Sequence, residues 1–300
     1  MKNKPILIVN GEPNSIFLEI FFKSLRLKKY KSPLILISSY KILRFYMKKF
    51  NFNKKVNIID YKNLKNENLN KNIINLINID FKPDKNYKKI TNKSNKFIKK
   101  SFDIALQLIN LGLTEKFING PISKKNFLNK KFPGITEFIS SKTDTKKYAM
   151  LIYNKKLSVC PLTTHIPLKN VSRFINKKNI SEKIYLIDQF YKKKLGIRPK
   201  IAILGLNPHC ESTNAINEDE KIIKPVIKSL TKKKYKVSGP YSADTMFLKK
   251  NRSKYNVILG MYHDQVLTPL KTLFEYDAIN ITLGLPFIRI SPDHGPNEKM

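Results

Sequence analysis

Three of the four histidines in this chain stand where they could bind one divalent metal ion. Each follows an apolar segment typical of a buried strand: SVCPLTT precedes His165, IAILGLNP precedes His209, and VILGMY precedes His263. Ligands bind at the carboxyl ends of parallel strands, and three imidazoles with an open fourth position form a catalytic metal site. Separations of 44 and 54 residues exclude a local zinc-finger site. The alternative is three unrelated loop histidines with ordinary hydrogen bonds.

Two aspartates accompany these segments. Asp264 directly follows His263, and Asp244 lies in the segment SADT. A carboxylate in either place could orient an imidazole or approach the metal itself. The alternative for both is a loop aspartate that caps the following helix.

Two cations and an amide follow in the last part of the chain. Lys271, Asn280 and Arg289 together suit a phosphate or carboxylate ligand. Arg289 is the more informative cation, because arginine is scarce here and this one lies within the apolar run PFIRI. A buried arginine needs an anionic partner, which is either such a ligand or an internal carboxylate.

The elements that position these residues alternate between short strands and amphipathic helices. Strands are predicted at 5–10, 33–39, 55–60 and about 116–120, and for the segments YAMLIYN, LSVCPLT, IAILGLN, VILGMY and INITLGL. Helices are predicted where apolar residues recur at helical spacing, at 15–25, 95–112, about 181–195 and 218–230. Residues 61–96 are rich in Asn and Lys, and a mobile excursion is expected there. This alternation predicts an α/β protein with a largely parallel sheet.

The composition is that of a globular protein with a large positive charge. Lys and Arg number 58 against 22 Asp and Glu, for a net charge of +36. A nucleic-acid-binding role would explain this charge, but the lysines are spread along the chain without a basic arm, which favours compositional drift. No apolar run approaches the roughly 18 residues that span a bilayer. We expect a cytoplasmic protein with reduced Cys160 and Cys210 that binds neither membrane nor nucleic acid.

An ordered set of motifs resembles one enzyme family. NGPISK, GITEF, TTHIPL, GLNPH, GPYSADTMF, MYHDQ, TPLK and INITLGLPFIRISPDHG occur in the order found in the 4-hydroxythreonine-4-phosphate dehydrogenases of pyridoxal 5'-phosphate biosynthesis. The resemblance covers residues 115–295 well and the first 110 loosely. It implies a fold like that of isocitrate and isopropylmalate dehydrogenases, with two α/β/α subdomains around a cleft. We expect residues 1–120 and 256–300 in the first subdomain, and residues 121–255 in the second, with much of a dimer interface.

The resemblance also implies a reaction and its residues. NAD, with NADP as an alternative, would oxidise 4-hydroxythreonine 4-phosphate to a β-keto acid that decarboxylates to 3-amino-2-oxopropyl phosphate. A divalent metal (zinc, magnesium, manganese or cobalt) would be bound by histidines from both subunits of a homodimer, matching His165, His209 and His263. The implied substrate contacts are Thr136, Lys271, Asn280 and Arg289. The catalytic candidates are Lys271, Asp244 and Asp264.

The chain departs from this family in several places. The family motif G-H-T-E reads Gly134-Ile135-Thr136-Glu137, so Ile135, which cannot hydrogen-bond, replaces a histidine that contacts substrate. Glycines are also lost after GEP, LNPH and YHDQ, which should alter nucleotide binding and loop geometry. The family continues past the equivalent of Met300 with a closing helix, and we expect an exposed apolar groove if that helix is missing. Ile135 motivates the alternative of a related dehydrogenase for another hydroxy acid or diol, or a catalytically weakened homologue.

Overall fold

The chain divides into two compact units, Met1–Ile135 with Pro286–Met300, and Thr136–Leu285. The computed structural model describes residues 4–81, 90–128, 132, 134–211, 217–292 and 294–296. This division differs from the expected subdomains, because residues 121–135 fall in the first unit and residues 256–285 fall in the second. The cause is strand pairing, since a strand at Val257–Gly260 pairs with strands at Ser158–Pro161 and Ile201–Leu204.

The first unit contains a parallel sheet. Its strands are β1 (Ile6–Val9), β2 (Leu34–Ser38), β3 (Val56–Ile58), β4 (Ile74–Asn78), β5 (Lys116–Asn119) and β12 (Ile288–Ser291). They lie in the order β3-β4-β2-β1-β5-β12, and each neighbouring pair is parallel. The strands are apolar along most of their length, as expected for parallel strands covered by helices.

The α-helices in the described part of this unit are α1 (Phe17–Leu27), α2 (Tyr40–Lys49) and α3 (Asn95–Asn110). The apolar faces of α1 and α2 pack against β1, β2 and β4. This core contains Phe17, Leu18, Phe21 and Phe22 of α1, Ile42, Leu43, Tyr46 and Met47 of α2, and Ile8, Leu36 and Leu76 of the strands. Each helix thus buries one stripe of apolar side chains, which stabilises it more than its intrinsic propensity does.

The second unit contains a mixed sheet. Its strands are β6 (Ala149–Tyr153), β7 (Ser158–Pro161), β8 (Ile201–Leu204), β9 (Val237–Tyr241), β10 (Val257–Gly260) and β11 (Ile279–Leu283). They lie in the order β11-β6-β7-β10-β8-β9. The pairs β11–β6 and β6–β7 are antiparallel, and the other three are parallel. The parallel part carries the histidine loops.

The helices of the second unit are α4 (Ile135–Lys142), α5 (Lys177–Phe190), α6 (Lys224–Lys232), α7 (Ala243–Met246), α8 (Lys249–Arg252) and α9 (His263–Phe274). A π-helical turn, Tyr191–Leu195, extends α5 until Gly196 ends it with a left-handed φ of 70°. Another π-helical turn, Asp219–Ile223, leads into α6. α9 packs on β7 and β10 through Val266, Leu267 and Leu270.

The α/β class predicted from the sequence is confirmed. The expectation of a mobile excursion at 61–96 was wrong for its centre, because residues 74–78 form the buried strand β4 between β2 and β3. Residues 82–89 of that segment lie outside the described residues. Across the part of the chain that the structure describes, no helix is both long and apolar enough to cross a membrane.

Candidate active site

The three histidines follow three adjacent strands of the second unit. His165 comes after β7, His209 after β8, and His263 after β10. β10 pairs with β7 on one side and β8 on the other, and all three are parallel. The loops that carry the histidines therefore leave the same edge of the sheet.

His165 and His263 lie next to each other. Their ring centroids are 5.9 Å apart, and the rings are inclined at 40°. The side chains are 27% and 35% exposed, so solvent reaches both. Because a zinc–nitrogen bond is about 2 Å long, imidazoles that share a tetrahedral ion have centroids roughly 5 to 5.5 Å apart. The pair therefore comes close to the spacing of two ligands of one ion.

A carboxylate accompanies each imidazole of this pair. His263 is the first residue of α9, and its Nδ1 donates to Oδ1 of Asp264 at 2.7 Å. Nδ1 of His165 lies 3.9 Å from Oε1 of Glu137, which also accepts a hydrogen bond from the Thr164 hydroxyl at 3.4 Å. A carboxylate hydrogen-bonded to Nδ1, as Asp264 is to His263, sets the tautomer of an imidazole and leaves Nε2 available to a metal. The 3.9 Å separation at His165 is too long for such a bond. Asp264 thus forms a hydrogen bond with the His263 imidazole.

His209 lies on a separate, exposed turn. Within Pro208–Cys210, both His209 and Cys210 have left-handed φ values, 55° and 60°. In the described ranges, no group of three or more His, Cys, Asp or Glu side chains comes together as metal ligands. A single chain therefore brings two of the three predicted imidazoles together and leaves His209 outside the pair.

Asp244 lies near His209. It is in the first turn of α7, where its Oδ1 accepts a hydrogen bond from the Ser242 hydroxyl at 2.5 Å. This bond is the main cause that holds the pKa of Asp244 below its usual value, and the backbone N–H of Thr245 and the charge of His209 act in the same direction. Both predicted aspartates thus accompany a histidine: Asp264 beside His263, and Asp244 near His209.

The carboxylate of Asp219 holds the turn that leads to His209. Asp219 is fully buried, and it accepts hydrogen bonds from the backbone N–H groups of Leu206 (2.8 Å) and Asn207 (3.1 Å) and from Nδ2 of Asn207 (2.9 Å). Gly205 is required beside it, because a Cβ there would lie 2.6 Å from Oδ1 of Asp219. The chain is therefore clamped two residues before His209.

We expect Asp219→Ala to lower the free energy of unfolding by about 3 kcal/mol, because it leaves buried N–H donors of the turn without an acceptor. Urea unfolding followed by circular dichroism measures this change. Glu220→Ala is the matched control: Glu220 is the exposed neighbour and pairs with Lys224 on the surface. The control should change stability by less than about 0.5 kcal/mol. Equal effects of the two substitutions would contradict a clamping role.

Thr136 and His165 line one cavity of about 260 Å³. Thr136 is buried in the first turn of α4, directly after the half-buried Ile135. The walls come from α4, from the segment that enters β6, from the loop after β7, and from α5. Further polar lining residues are Glu137, Lys146, Tyr148, Thr163, Thr164, Asn179, Glu182 and Lys183. A predicted substrate residue and a predicted metal ligand thus share one cavity.

The remaining predicted substrate residues lie on α9, β11 and β12. Lys271 is half-buried in α9, and Asn280 is half-buried on β11. Oδ1 of Asn280 is buried and has no hydrogen-bond partner within the described residues. Arg289 lies on β12 of the first unit; it is fully buried, and its Nε donates to Oδ1 of Asn119 at 2.8 Å. Arg289 thus has an internal partner in the amide of Asn119, and an anionic ligand would be a further one.

Sequence reasoning missed three polar residues around these features. Glu137 appears only within the motif G-H-T-E, and Asp219 only within the predicted helix at 218–230. Lys183 was not distinguished from the many other lysines. An acidic residue shortly after the LNPH segment was the one available signal for Asp219, and no pattern distinguishes a cavity lysine in so lysine-rich a chain.

Comparisons with known proteins extend the resemblance to 4-hydroxythreonine-4-phosphate dehydrogenases over most of the chain. The family model described as pyridoxal phosphate biosynthetic protein PdxA matches residues 29–297. A 4-hydroxythreonine-4-phosphate dehydrogenase from Sulfurihydrogenibium sp. (strain YO3AOP1) is 38% identical over 298 residues, covering 97% of this chain and 89% of that protein. A D-threonate 4-phosphate dehydrogenase from Pectobacterium atrosepticum is 39% identical over 165 residues, 55% of this chain and 51% of that protein.

A solved structure shows the same similarity in three dimensions. The 4-hydroxythreonine-4-phosphate dehydrogenase from Klebsiella pneumoniae aligns with a TM-score of 0.80 at 30% identity, covering 99% of this chain and 92% of that one. The resemblance inferred from the motifs is therefore confirmed. The chain belongs to the PdxA family of pyridoxal phosphate biosynthetic proteins.

Proposed function

We propose that this chain is an NAD-dependent dehydrogenase that oxidises 4-hydroxythreonine 4-phosphate in pyridoxal 5'-phosphate biosynthesis. Membership in the PdxA family and the activity named for its relatives support the reaction. The observation that carries the proposal is the His165–His263 pair, in which His165 lines the same cavity as Thr136. An oriented imidazole pair beside a cavity of substrate size suits metal-assisted oxidation of an alcohol.

In this proposal, His165 and His263 of one subunit bind the divalent metal, and the second subunit of a homodimer supplies His209. The separation of His209 from the pair within one chain supports a site shared between subunits. Asp264 keeps the His263 imidazole oriented through its hydrogen bond, and the carboxylate of Asp244 adds a negative charge near His209. When bound, the metal supplies Lewis-acid polarisation of the substrate's hydroxyl group, and the nicotinamide supplies the hydride acceptor.

Thr136, Lys271, Asn280 and Arg289 are proposed to bind the substrate. The buried Oδ1 of Asn280 needs a donor, and a hydroxyl or amino group of the substrate provides one. Lys271 is the candidate base for the proton of the secondary hydroxyl, whose carbon gives its hydride to the nicotinamide. The β-keto acid that results loses carbon dioxide and leaves 3-amino-2-oxopropyl phosphate. We place the enzyme in the cytoplasm, where this pathway's phosphorylated substrates are found.

A second candidate substrate is D-threonate 4-phosphate. One relative is named for its oxidation, and that molecule carries a hydroxyl where 4-hydroxythreonine 4-phosphate carries its amine. Ile135 favours this candidate, because the residue before Thr136 lacks the polar side chain that the family motif G-H-T-E provides. Both candidates require the same metal and nicotinamide chemistry, so they differ only in substrate recognition.

Turnover separates these candidates directly. We expect the purified full chain, loaded with Zn²⁺, Co²⁺, Mn²⁺ or Mg²⁺, to reduce NAD when 4-hydroxythreonine 4-phosphate is added, as followed by absorbance of the reduced nicotinamide. NADP and D-threonate 4-phosphate are tested in parallel arms. Faster turnover of D-threonate 4-phosphate would establish the second candidate. A folded, metal-loaded protein that oxidises neither compound would refute both.

A further inference from the structure

Lys183 is a cation inside the cavity that contains Thr136 and His165. It lies on α5 and is half-buried, and its side chain lines the cavity wall. Burial lowers the pKa of Lys183 from its usual value, while neighbouring acidic groups, including Glu182 and Glu137, oppose this shift. Removal of a lysine from water is unfavourable unless its charge has a partner, so this position needs an explanation.

The protein uses only part of the hydrogen-bonding capacity of Lys183. Its Nζ donates to the backbone carbonyl oxygen of Tyr148 and lies 5.4 Å from the centroid of the Tyr148 ring. An ammonium group has three N–H donors. Within the described residues this carbonyl is the one hydrogen-bond acceptor assigned to Lys183. Two donors therefore remain for a ligand in the cavity.

The two acidic residues of the cavity have other contacts. A carboxylate oxygen of Glu182 lies 3.5 Å from Nζ of Lys147, outside the cavity lining. Oε1 of Glu137 accepts from the Thr164 hydroxyl and faces His165. Neither carboxylate forms an ion pair within 4 Å of Lys183 among the described contacts. The charge of Lys183 is therefore available to an anion in the space that Thr136 also lines, whereas the hydroxyl groups of Thr163 and Thr164 donate to Met261 and Glu137.

We propose that Lys183 binds an oxyanion group of the substrate, phosphate or carboxylate, in the cavity beside Thr136 and His165. The inference rests on the proposed function for the identity of the substrate, but the oxyanion site itself does not depend on turnover. It gives the cavity a positive charge for substrate binding in a chain that has Ile135 instead of the histidine of the family motif. Lys183 would then be a specificity-determining residue outside the set that the family motifs indicate.

Equilibrium binding tests this proposal without catalysis. Inorganic phosphate and 4-hydroxythreonine 4-phosphate are titrated into the metal-loaded full chain by isothermal calorimetry, with no nicotinamide present. We expect Lys183→Met to weaken both affinities about tenfold to hundredfold, the range for loss of a charge-assisted hydrogen bond. Lys183→Arg, which keeps the charge, should retain much of the affinity. Methionine has a similar length and removes a partly buried charge, so the fold should persist, and thermal unfolding checks this.

Lys178→Met is the matched control, because Lys178 is exposed on the same helix and its loss removes the same charge from the protein. An effect of the diffuse positive charge would weaken binding equally in both variants and would overturn the proposal, as would unchanged affinity in Lys183→Met. Unphosphorylated 4-hydroxythreonine identifies the group: a loss confined to the phosphorylated compound assigns phosphate, and an equal loss assigns carboxylate. If wild-type protein binds phosphate through Lys183 but oxidises neither candidate substrate, the proposed function fails and the oxyanion site stands.

Discussion

His263→Ala is expected to lower the affinity for Zn²⁺ by more than roughly a hundredfold, because loss of a residue that only supports a ligand already costs 10- to 100-fold. His263 is half of the imidazole pair and takes its orientation from Asp264. Asp264→Asn should weaken binding less, by about 10- to 100-fold, since the imidazole remains. Competition with a chromophoric chelator measures both values, and the visible spectrum of the Co²⁺ form reports a changed ligand set. His294→Ala is the control, because it also removes one imidazole, but from the first unit and not from the His165–His263 pair. Equal affinities of the His263→Ala and His294→Ala proteins would contradict the proposed ligand.

Mixed dimers determine whether the site is shared between subunits. If His209 acts on the pair of the other subunit, His209→Ala and His263→Ala proteins are each inactive alone. After dissociation and random reassociation, one of the two sites in each heterodimer is intact, so roughly a quarter of wild-type activity should return. If all three histidines of one chain formed one site, no mixture would regain activity. The second result would overturn the shared site and leave the reaction itself untouched.

Ile135→His is expected to lower the KM for 4-hydroxythreonine 4-phosphate about tenfold to hundredfold, the gain from one charge-assisted hydrogen bond. Ile135 begins α4 and directly precedes Thr136, which lines the cavity. The substitution restores the G-H-T-E motif of the family. Steady-state kinetics with saturating NAD and metal measure KM and kcat separately, and the effect should fall mainly on KM because substrate binding changes.

Ile135→Leu is the control for this substitution, since it keeps an apolar side chain of equal size and should leave KM unchanged. The direction of the Ile135→His effect also distinguishes the two substrates. A protein adapted to D-threonate 4-phosphate should lose activity on that substrate when the histidine is restored. Loss of activity on both compounds, with an unchanged melting temperature, would show that Ile135 is required in this pocket.

Local patterns in the sequence predicted much of the fold. The strands with continuous apolar runs, such as β2 and β8, are confirmed, as is the amphipathic helix α3. Two elements of the first unit were not predicted from these patterns. β4 is buried but lies in a segment dominated by Asn and Lys, and α2 alternates lysines with its apolar residues. In both cases tertiary packing stabilises an element whose own composition resembles that of a loop.

In the candidate site, too, local patterns predicted some residues, and tertiary contacts alone revealed the others. Motif order identified Thr136 and the histidines, since those residues occur in fixed local contexts. Asp219 and Lys183 were missed because their roles depend on partners 12 to 13 and 35 residues away in the chain. A buried carboxylate and a cavity ammonium have the same one-letter codes as their solvated counterparts. Only the position of the surrounding backbone distinguishes them.

By itself, the sequence determined the family, the α/β class and the three histidines that follow strands, because motifs and apolar periodicity are properties of neighbouring residues. The tertiary structure decided which imidazoles meet. β10 brings His263 to the loop after β7, so that its ring centroid lies 5.9 Å from that of His165, whereas His209 lies on a left-handed turn outside this pair. It also decided that Lys183 lines the cavity of Thr136. These outcomes depend on strand order and loop geometry, which join residues that no local pattern connects.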